Sequence, residues 1–361
     1  MRFLLVADAH WTDDPREAGR FELFKALVRI CKNEKVDRVL FLGDITDKKD
    51  RHSGRFINQL IKNFRYLYDN VMPQTEIEVL IGNHDFTDPE NPTFLLLEEL
   101  GIRVFVRPEL VTLKDVTAAY MPFTRDPVID WAVYEQGLSA ADVIFIHQPL
   151  EGAKSENGMV LEHGLHPNYF DIYAKGTPVF AGDVHVRQKC GPVQYIGAPY
   201  KIHFGDEYEG HVSIYDTETK KEHPLKLHLG IPEKRLVTLA YSHEAGMDDI
   251  SLFEDYEGTK SLSPDSQLAK LKKGDLLKVR IVIMRNELEH WDDCEERVRR
   301  ACEHHEFELC GIELDVRVDG DSDDDLAGLA HETDENVLKR FCEKEELSVD
   351  VLDAGLSIIR G

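Results

Sequence analysis

The residues of this chain that could do chemistry are grouped by type and by spacing. Asp8-Ala9-His10 sets a carboxylate and an imidazole on one face of a strand end, because alternate residues of an extended segment share a face. Gly43-Asp44-Ile45-Thr46-Asp47 places carboxylates just past a glycine. Gly82-Asn83-His84-Asp85 places an amide and an imidazole where glycine lets the backbone turn sharply. His147 stands alone, and Gly182-Asp183-Val184-His185 carries a further carboxylate and imidazole. Singly these are commonplace: a surface pair, a helix-capping loop, a buried histidine. All five in one order, each after a strand-like run, point to a metal centre. Oxygen and imidazole donors without a cysteine suit Mn²⁺ or Mg²⁺ better than a soft, thiolate-bound metal.

The elements that must position these residues read as short β-rich runs. RFLLVA leads to Asp8, RVLFLG to Asp44, EIEVLIG to Asn83 and His84, DVIFI to His147, and PVFAG to Asp183. Apolar residues near the helical period run through FELFKALVRICKNEK (21–35) and FINQLIKNFRYLYDNV (56–71), between the first three strands. Strands alternating with helices predict an α/β fold with largely parallel pairing, whose ligands gather beyond the carboxyl ends of the strands. After residue 190, VQYIGAPY, HVSIYDTET and HPLKLHLG read as antiparallel strands that complete a second sheet.

A composition change near 230–235 divides a domain of residues 1–230 from one of residues 231–318. The second reads as β-α-β, from LLKVRIVI, a solvated helix at 287–305 and FELCGIELDVRV. DGDSDDD opens into an acidic linker, 319–328, whose like charges keep it solvated. Residues 329–361 carry apolar side chains expected to form a helical segment that docks on a partner.

Composition narrows the class further. With 361 residues, 42% apolar and 31% charged, the chain is neither disordered nor membranous and has room for two domains. No apolar run reaches the roughly 18 residues of a membrane span. MRFLLVADAH reads as a first strand, not a signal peptide. The cysteines Cys31, Cys190, Cys294, Cys302, Cys310 and Cys342 form no CxxC pair and read as free thiols in a reducing cytosol. A net charge of −25 excludes a protein that coats DNA with its own cations. Any nucleic acid must be met by metal ions, a local basic patch or a partner. KKDRHSGR supplies such a patch beside the motifs, with Lys48, Lys49, Arg51, His52 and Arg55 as candidate phosphate contacts. Lys201 and His203 are candidates for the same groove. Phe86 and Phe123 read as core residues ahead of a base-stacking role, and Trp11 is open between the core and the site.

DxH, GDxxD, GNHD, a lone His and GDxH together resemble the calcineurin-like metallophosphoesterases. QYIGAPYKIHFGDE resembles the glycine-proline-aromatic stretch of the SbcD-type double-strand-break repair nucleases and their phage counterparts. Over residues 231–361 the resemblance rests on architecture alone. It implies a two-sheet αββα sandwich with a small β-α-β cap and C-terminal helices. It also implies two divalent ions, Mn²⁺ ahead of Mg²⁺. Asp8, His10 and His185 would hold one, Asn83, His147 and Asp183 the other, with Asp44 bridging. Two ions about 3.5–4 Å apart can hold a phosphodiester, activate a water and stabilise charge on the attacking and leaving oxygens.

The same resemblance gives His84 contact with the scissile phosphate and protonation of the leaving oxygen, with Asp47 orienting its ring. The family usually has His where Asp183 stands. Three carboxylates against two divalent ions leave about +1 instead of about +2, a harder and more oxygen-rich site. The implied activity is DNA hydrolysis, exonuclease or endonuclease, by the nuclease subunit of a repair, recombination or replication complex. The implied partners are DNA, an SbcC-like coiled-coil ABC-type ATPase and a second copy of the chain, in a bacterial or phage-infected cytosol. Two alternatives share the fold: a stand-alone phosphatase or nucleotide phosphodiesterase, and a non-catalytic adaptor.

Overall fold

Every central strand alternates two apolar faces, and this double burial builds a layered molecule. The structure is a computed structural model that describes residues 1–49, 51–88, 91–242, 248–255 and 267–317. Strands β1 (Arg2–Val6), β2 (Arg38–Leu42), β3 (Glu76–Leu80) and β4 (Arg103–Phe105) run parallel. The chain then crosses to a second sheet through the hairpin β5 (Glu109–Leu113) and β6 (Val116–Met121). β7 (Val143–His147) and β8 (Val179–Gly182) follow in parallel with β6. β9 (Gln188–Cys190) and β10 (Val193–Tyr195) close that sheet, and β11 (His211–Asp216) and β12 (Lys221–Lys226) return to the first. The sheet orders are β12-β11-β1-β2-β3-β4 and β5-β6-β7-β8-β10-β9.

Two of the three late segments therefore belong elsewhere than the sequence suggested. β11 and β12 extend the first sheet, with β11 antiparallel to β1, and β10 lies parallel to β8 in the second. The pairing is specified by faces: Val212 and Ile214 join the outer core of the first sheet, while Tyr215 joins the layer between the sheets. Alternation marks a strand but does not name its neighbour.

Helices α1 (Glu22–Glu34) and α2 (Gly54–Val71) cover the outer face of the first sheet. In α2 the buried residues Phe56, Leu60, Phe64, Leu67 and Val71 form one stripe at intervals of three and four. Ser53 caps this helix by accepting a hydrogen bond from the Phe56 N–H, 3.1 Å. Leu4, Val6, Val39 and Phe41 pack under the helices. Phe3, Leu5, Leu40 and Leu42 face Tyr120, Phe145 and Phe180 of the second sheet. The outer face of the second sheet is covered by short segments carrying Trp131, Leu138, Tyr169 and Phe170. The result is the expected αββα sandwich. Trp11 is core, stacked on Phe24 with ring centroids 4.6 Å apart.

The chain divides into two units. Of the described residues, the first holds those within 1–236, 271–278 and 306–310, and the second holds 237–242, 248–255, 267–270, 279–305 and 311–317. β13 (Lys234–Ala240), β14 (Leu276–Met284) and β15 (Glu308–Arg317) form a three-stranded sheet in that order, most of whose residues belong to the second unit. There Val279, Ile281 and Ile283 are buried, as are Val298 and Cys302 of the helix Trp291–His304. Arg297 on that helix pairs with Asp248 at 3.2 Å and Glu254 at 2.7 Å. The expected acidic linker (319–328) and docking segment (329–361) lie outside the described residues. Among the described residues, no helix is long and apolar enough to cross a membrane.

Candidate metal centre

The turns after β1, β2, β3, β7 and β8 meet at one place, and their backbone is unusual there. Asp8 (φ 51°), His10 (φ 41°), Asp44 (φ 51°) and Asp183 (φ 92°) all lie in the left-handed region, which non-glycine residues enter only when their surroundings hold them. Here hydrogen bonds between the turns hold them. The His10 N–H donates to the Asp44 carbonyl at 2.9 Å, and the Trp11 N–H to that of Ile45 at 2.9 Å. The Asp183 N–H donates to Asp8 Oδ1 at 2.8 Å, and the His84 N–H to Asp44 Oδ1 at 2.9 Å. The motif glycines allow this closeness. A Cβ on Gly43 would lie 2.2 Å from His147 Nδ1, and one on Gly82 would lie 2.3 Å from Asp44 Oδ1. One on Gly182 would lie 2.3 Å from the Leu42 carbonyl oxygen.

Around these turns the side chains converge. His147 Nδ1 lies 2.6 Å from the Leu42 carbonyl, which can only accept, so that nitrogen carries the proton. Its Nε2 is left to face Asn83 Oδ1 (3.0 Å), Asp44 Oδ1 (3.3 Å) and Asp183 Oδ1 (3.7 Å). His10 Nε2 lies 3.4 Å from Asp44 Oδ2 and 3.2 Å from His185 Nε2. Two imidazole nitrogens facing each other at that distance suit two donors to one cation. Burial holds both His10 and His185 below the usual histidine range, so both are neutral.

The electrostatics fit the same reading. Burial pushes Asp8 well above the carboxylate range, against the pull of His147. Burial likewise takes Asp183 up to about 6, with His147 opposing. Burial would raise Asp44 too, but His147 outweighs it, with help from His10 and His84, and Asp44 lies below its ordinary value. Asp8 Oδ2 is buried without a hydrogen-bond partner. Buried carboxylates so crowded are costly unless a cation joins them, and these residues fit a divalent-metal site.

The structure also departs from the expected roles. His84 Nδ1 is oriented by the main-chain carbonyl of Asp47, at 2.8 Å, and not by its carboxylate. The Asp47 carboxylate turns to His10 Nδ1, 3.7 Å away. Alternation in GDITD could not tell backbone from side chain. Lys48, Lys49, Arg51 and Arg55 are exposed around the start of α2, with Lys48 3.5 Å from Asp13. His52 is half-buried, its Nε2 3.5 Å from Thr46 Oγ1. Lys201 is drawn into an ion pair with Glu233 at 3.2 Å, and exposed His203 faces Glu156. Phe86 and Phe123 are half-buried, 6.2 Å apart, and Phe123 meets the His147 ring at 6.4 Å.

Three supporting residues were not singled out from sequence. Asp85, fully buried, ties the second turn to the third by accepting from the N–H groups of Ile45 (2.7 Å) and Gly82 (2.8 Å). Its place in GNHD was the available signal. Buried Arg20 donates to the carbonyls of His10 (2.7 Å) and Ile202 (3.1 Å), and the Tyr200 hydroxyl donates to the Ala9 carbonyl. This is how the GAPY stretch supports the first turn.

Two sheets meeting at a carboxylate-imidazole cluster beyond their strand ends define a phosphoesterase-type centre. The family model for calcineurin-like phosphoesterases matches residues 1–196, more than half of the chain, and the chain belongs to that family, whose members use divalent metal ions. It is 26% identical over 151 residues to exonuclease subunit 1 of Enterobacteria phage T4. That match spans 40% of this chain and 43% of the relative. Among solved structures, an archaeal phosphodiesterase is 15% identical with a TM-score of 0.35, covering 63% of this chain and 100% of that one. An anchor protein of the inner membrane complex of Plasmodium is 13% identical with a TM-score of 0.37, covering 63% and 89%.

Proposed function

We propose that this phosphoesterase hydrolyses DNA as the nuclease subunit of a complex with a coiled-coil ATPase. The observation that carries the hydrolytic centre is the convergence of Asp8, His10, Asp44, Asn83, His147, Asp183 and His185 at one point beyond five strand ends. In this reading Asp8, His10 and His185 would hold one divalent ion and Asn83, His147 and Asp183 the other, with Asp44 available to both. When bound, such ions supply charge neutralisation and activation of water at a phosphodiester. The protein's own groups do the rest. The Leu42 carbonyl fixes the His147 tautomer so that Nε2 remains a donor atom. His84, held through Nδ1 by the Asp47 carbonyl, keeps Nε2 for the phosphate and for proton transfer to the leaving oxygen.

The similarity to a phage exonuclease subunit supports DNA as substrate, as do the exposed cations Lys48, Lys49, Arg51 and Arg55. Mn²⁺ is the expected ion, because every proposed donor is oxygen or imidazole. An acidic chain suits a subunit whose partner supplies the grip on the duplex. A second copy of the chain completes the proposed complex in the cytosol.

The test is cleavage of end-labelled duplex and single-stranded DNA with Mn²⁺ or Mg²⁺, with and without the ATPase, beside a small phosphomonoester. Metal-dependent DNA cleavage is the expected result. Turnover of the monoester alone would favour a stand-alone phosphatase. Full activity in excess chelator would end the two-metal reading.

A further inference from the structure

His10 and His185 point their Nε2 atoms at each other, so what their outer nitrogens meet decides whether the inner ones can serve as donors. A neutral imidazole carries one proton, and a ring that offers Nε2 to a cation must keep that proton on Nδ1. The outer nitrogens of His147 and His84 are matched by main-chain carbonyls at 2.6 and 2.8 Å. His185 Nδ1 has no hydrogen-bond partner and is buried from water. What faces it is a carboxylate: Glu156 Oε1, 3.7 Å away. His10 repeats the pattern, its outer nitrogen 3.7 Å from Asp47 Oδ1.

Glu156 is brought there by a built turn. Lys154 is clamped to Gln188 in both directions, its N–H donating to Gln188 Oε1 at 2.8 Å and its carbonyl accepting from Gln188 Nε2 at 2.5 Å. The Ser155 N–H closes the turn onto the Met159 carbonyl at 2.9 Å. Gln188 follows His185 by three residues, so this clamp fixes the loop to the segment that carries the histidine.

We propose that Glu156 is a positioning residue of the metal centre. It accepts the His185 Nδ1 proton and so holds Nε2 as a donor toward the ion shared with His10. Closing the gap from 3.7 Å to hydrogen-bond length needs a movement of only about 0.8 Å. Carboxylates in this role raise the basicity of the ring and fix its orientation. Glu156 also lies 3.8 Å from His203 Nε2, so Glu156, His185 and His203 form a cluster of metal-competent groups. That cluster is not a separate ion site, because the nitrogen His185 would offer to it must keep its proton. The inference rests on the two-metal reading above.

The experiment is calorimetric titration of Mn²⁺ into the metal-free full chain, for the wild type, Glu156→Ala and Glu156→Gln. The wild type should bind two ions. Glu156→Ala should bind one of them about 10–100-fold more weakly, with the melting temperature of the metal-free protein unchanged, since Glu156 lies on a surface loop. Glu156→Gln should recover most of the affinity, because its amide oxygen still accepts the proton. Unchanged binding by Glu156→Ala would overturn the proposal, as would a Gln variant as weak as Ala. Three ions in the wild type with one lost in Glu156→Ala would make Glu156 a ligand instead. A wild type that binds no Mn²⁺ would defeat the metal reading itself, and the wild-type titration alone would reveal it.

Discussion

At the scale of single residues, the geometry separates roles that the motifs merge. His84→Ala should lose about 10²–10⁴ in turnover while metal content, counted by elemental analysis, stays at the wild-type level. An emptied metal site would contradict the phosphate-facing role. Asp47→Ala should behave differently from a loss of His84. The carbonyl that orients His84 survives the substitution, while the carboxylate facing His10 does not. Its effect should therefore fall on Mn²⁺ affinity and leave kcat at saturating metal within a few-fold of wild type. A kcat collapse matching His84→Ala would return the carboxylate to the role of orienting His84. Asp183→His should keep the fold and shift metal affinity or preference, because it removes one of three crowded carboxylates beside His147. Identical Mn²⁺ and Mg²⁺ titrations of the two forms would show that Asp183 holds no ion.

At the scale of elements, the site depends on how closely the turns approach. Gly182→Ala would press a methyl within 2.3 Å of the Leu42 carbonyl and 2.8 Å of His147 Nδ1. Overpacking of this kind costs about 1–3 kcal/mol and displaces the imidazole it touches. Denaturant unfolding should show the loss, and Mn²⁺ binding should weaken with it. Gly54→Ala is the matched control. It sits in the first turn of α2 with nothing within 4 Å of its Cβ position, so alanine should be neutral or stabilise by up to about 1 kcal/mol. Equal losses at both positions would mean that close approach of the turns is not what Gly182 provides.

At the scale of the whole molecule, the buried charges link folding to metal and to pH. Burial lifts Asp183 to about 6 and Asp85 to about 7, against an ordinary aspartate value of 3.8. Over that range these aspartates hold more protons in the folded chain than in the unfolded one, so their contribution to the stability of the metal-free protein falls as pH rises from about 4 to about 7. His10 and His185, held below their ordinary value, act in the opposite sense until pH passes about 6.5. His147 is raised above its ordinary value, the charge of Asp44 overcoming burial. It adds stability that is likewise lost as pH climbs through its folded value. Above about pH 6.5 Asp85 and His147 still change the balance, so the melting temperature of the metal-free protein should drop between about pH 6.5 and pH 8. Divalent cations should restore more of it at pH 8, where the carboxylates are ionised. A metal-free melting temperature that rises over this interval would show that the carboxylates are not crowded as described.

Much of this protein is determined locally and can be read without coordinates. Short apolar runs mark β1, β2, β3, β7 and β8, glycines mark the turns behind β2, β3 and β8, and the ligand-type residues sit at or just beyond the strand ends. Those signals lie within a few residues of one another, so the order of the motifs alone predicts a metal centre at the strand ends. What faces what is a different matter. His147 takes its tautomer from Leu42, 105 residues away, and Asp183 donates to Asp8 across 175 residues. The return of β11 and β12 to the first sheet, the burial of Trp11, the clamp made by Asp85 and the approach of Glu156 to His185 are of the same kind. Each is decided by pairing between distant segments, and a pattern within one segment carries no record of its partner. The sequence by itself names the donor atoms; only the tertiary structure decides which nitrogen keeps its proton and which is free to bind.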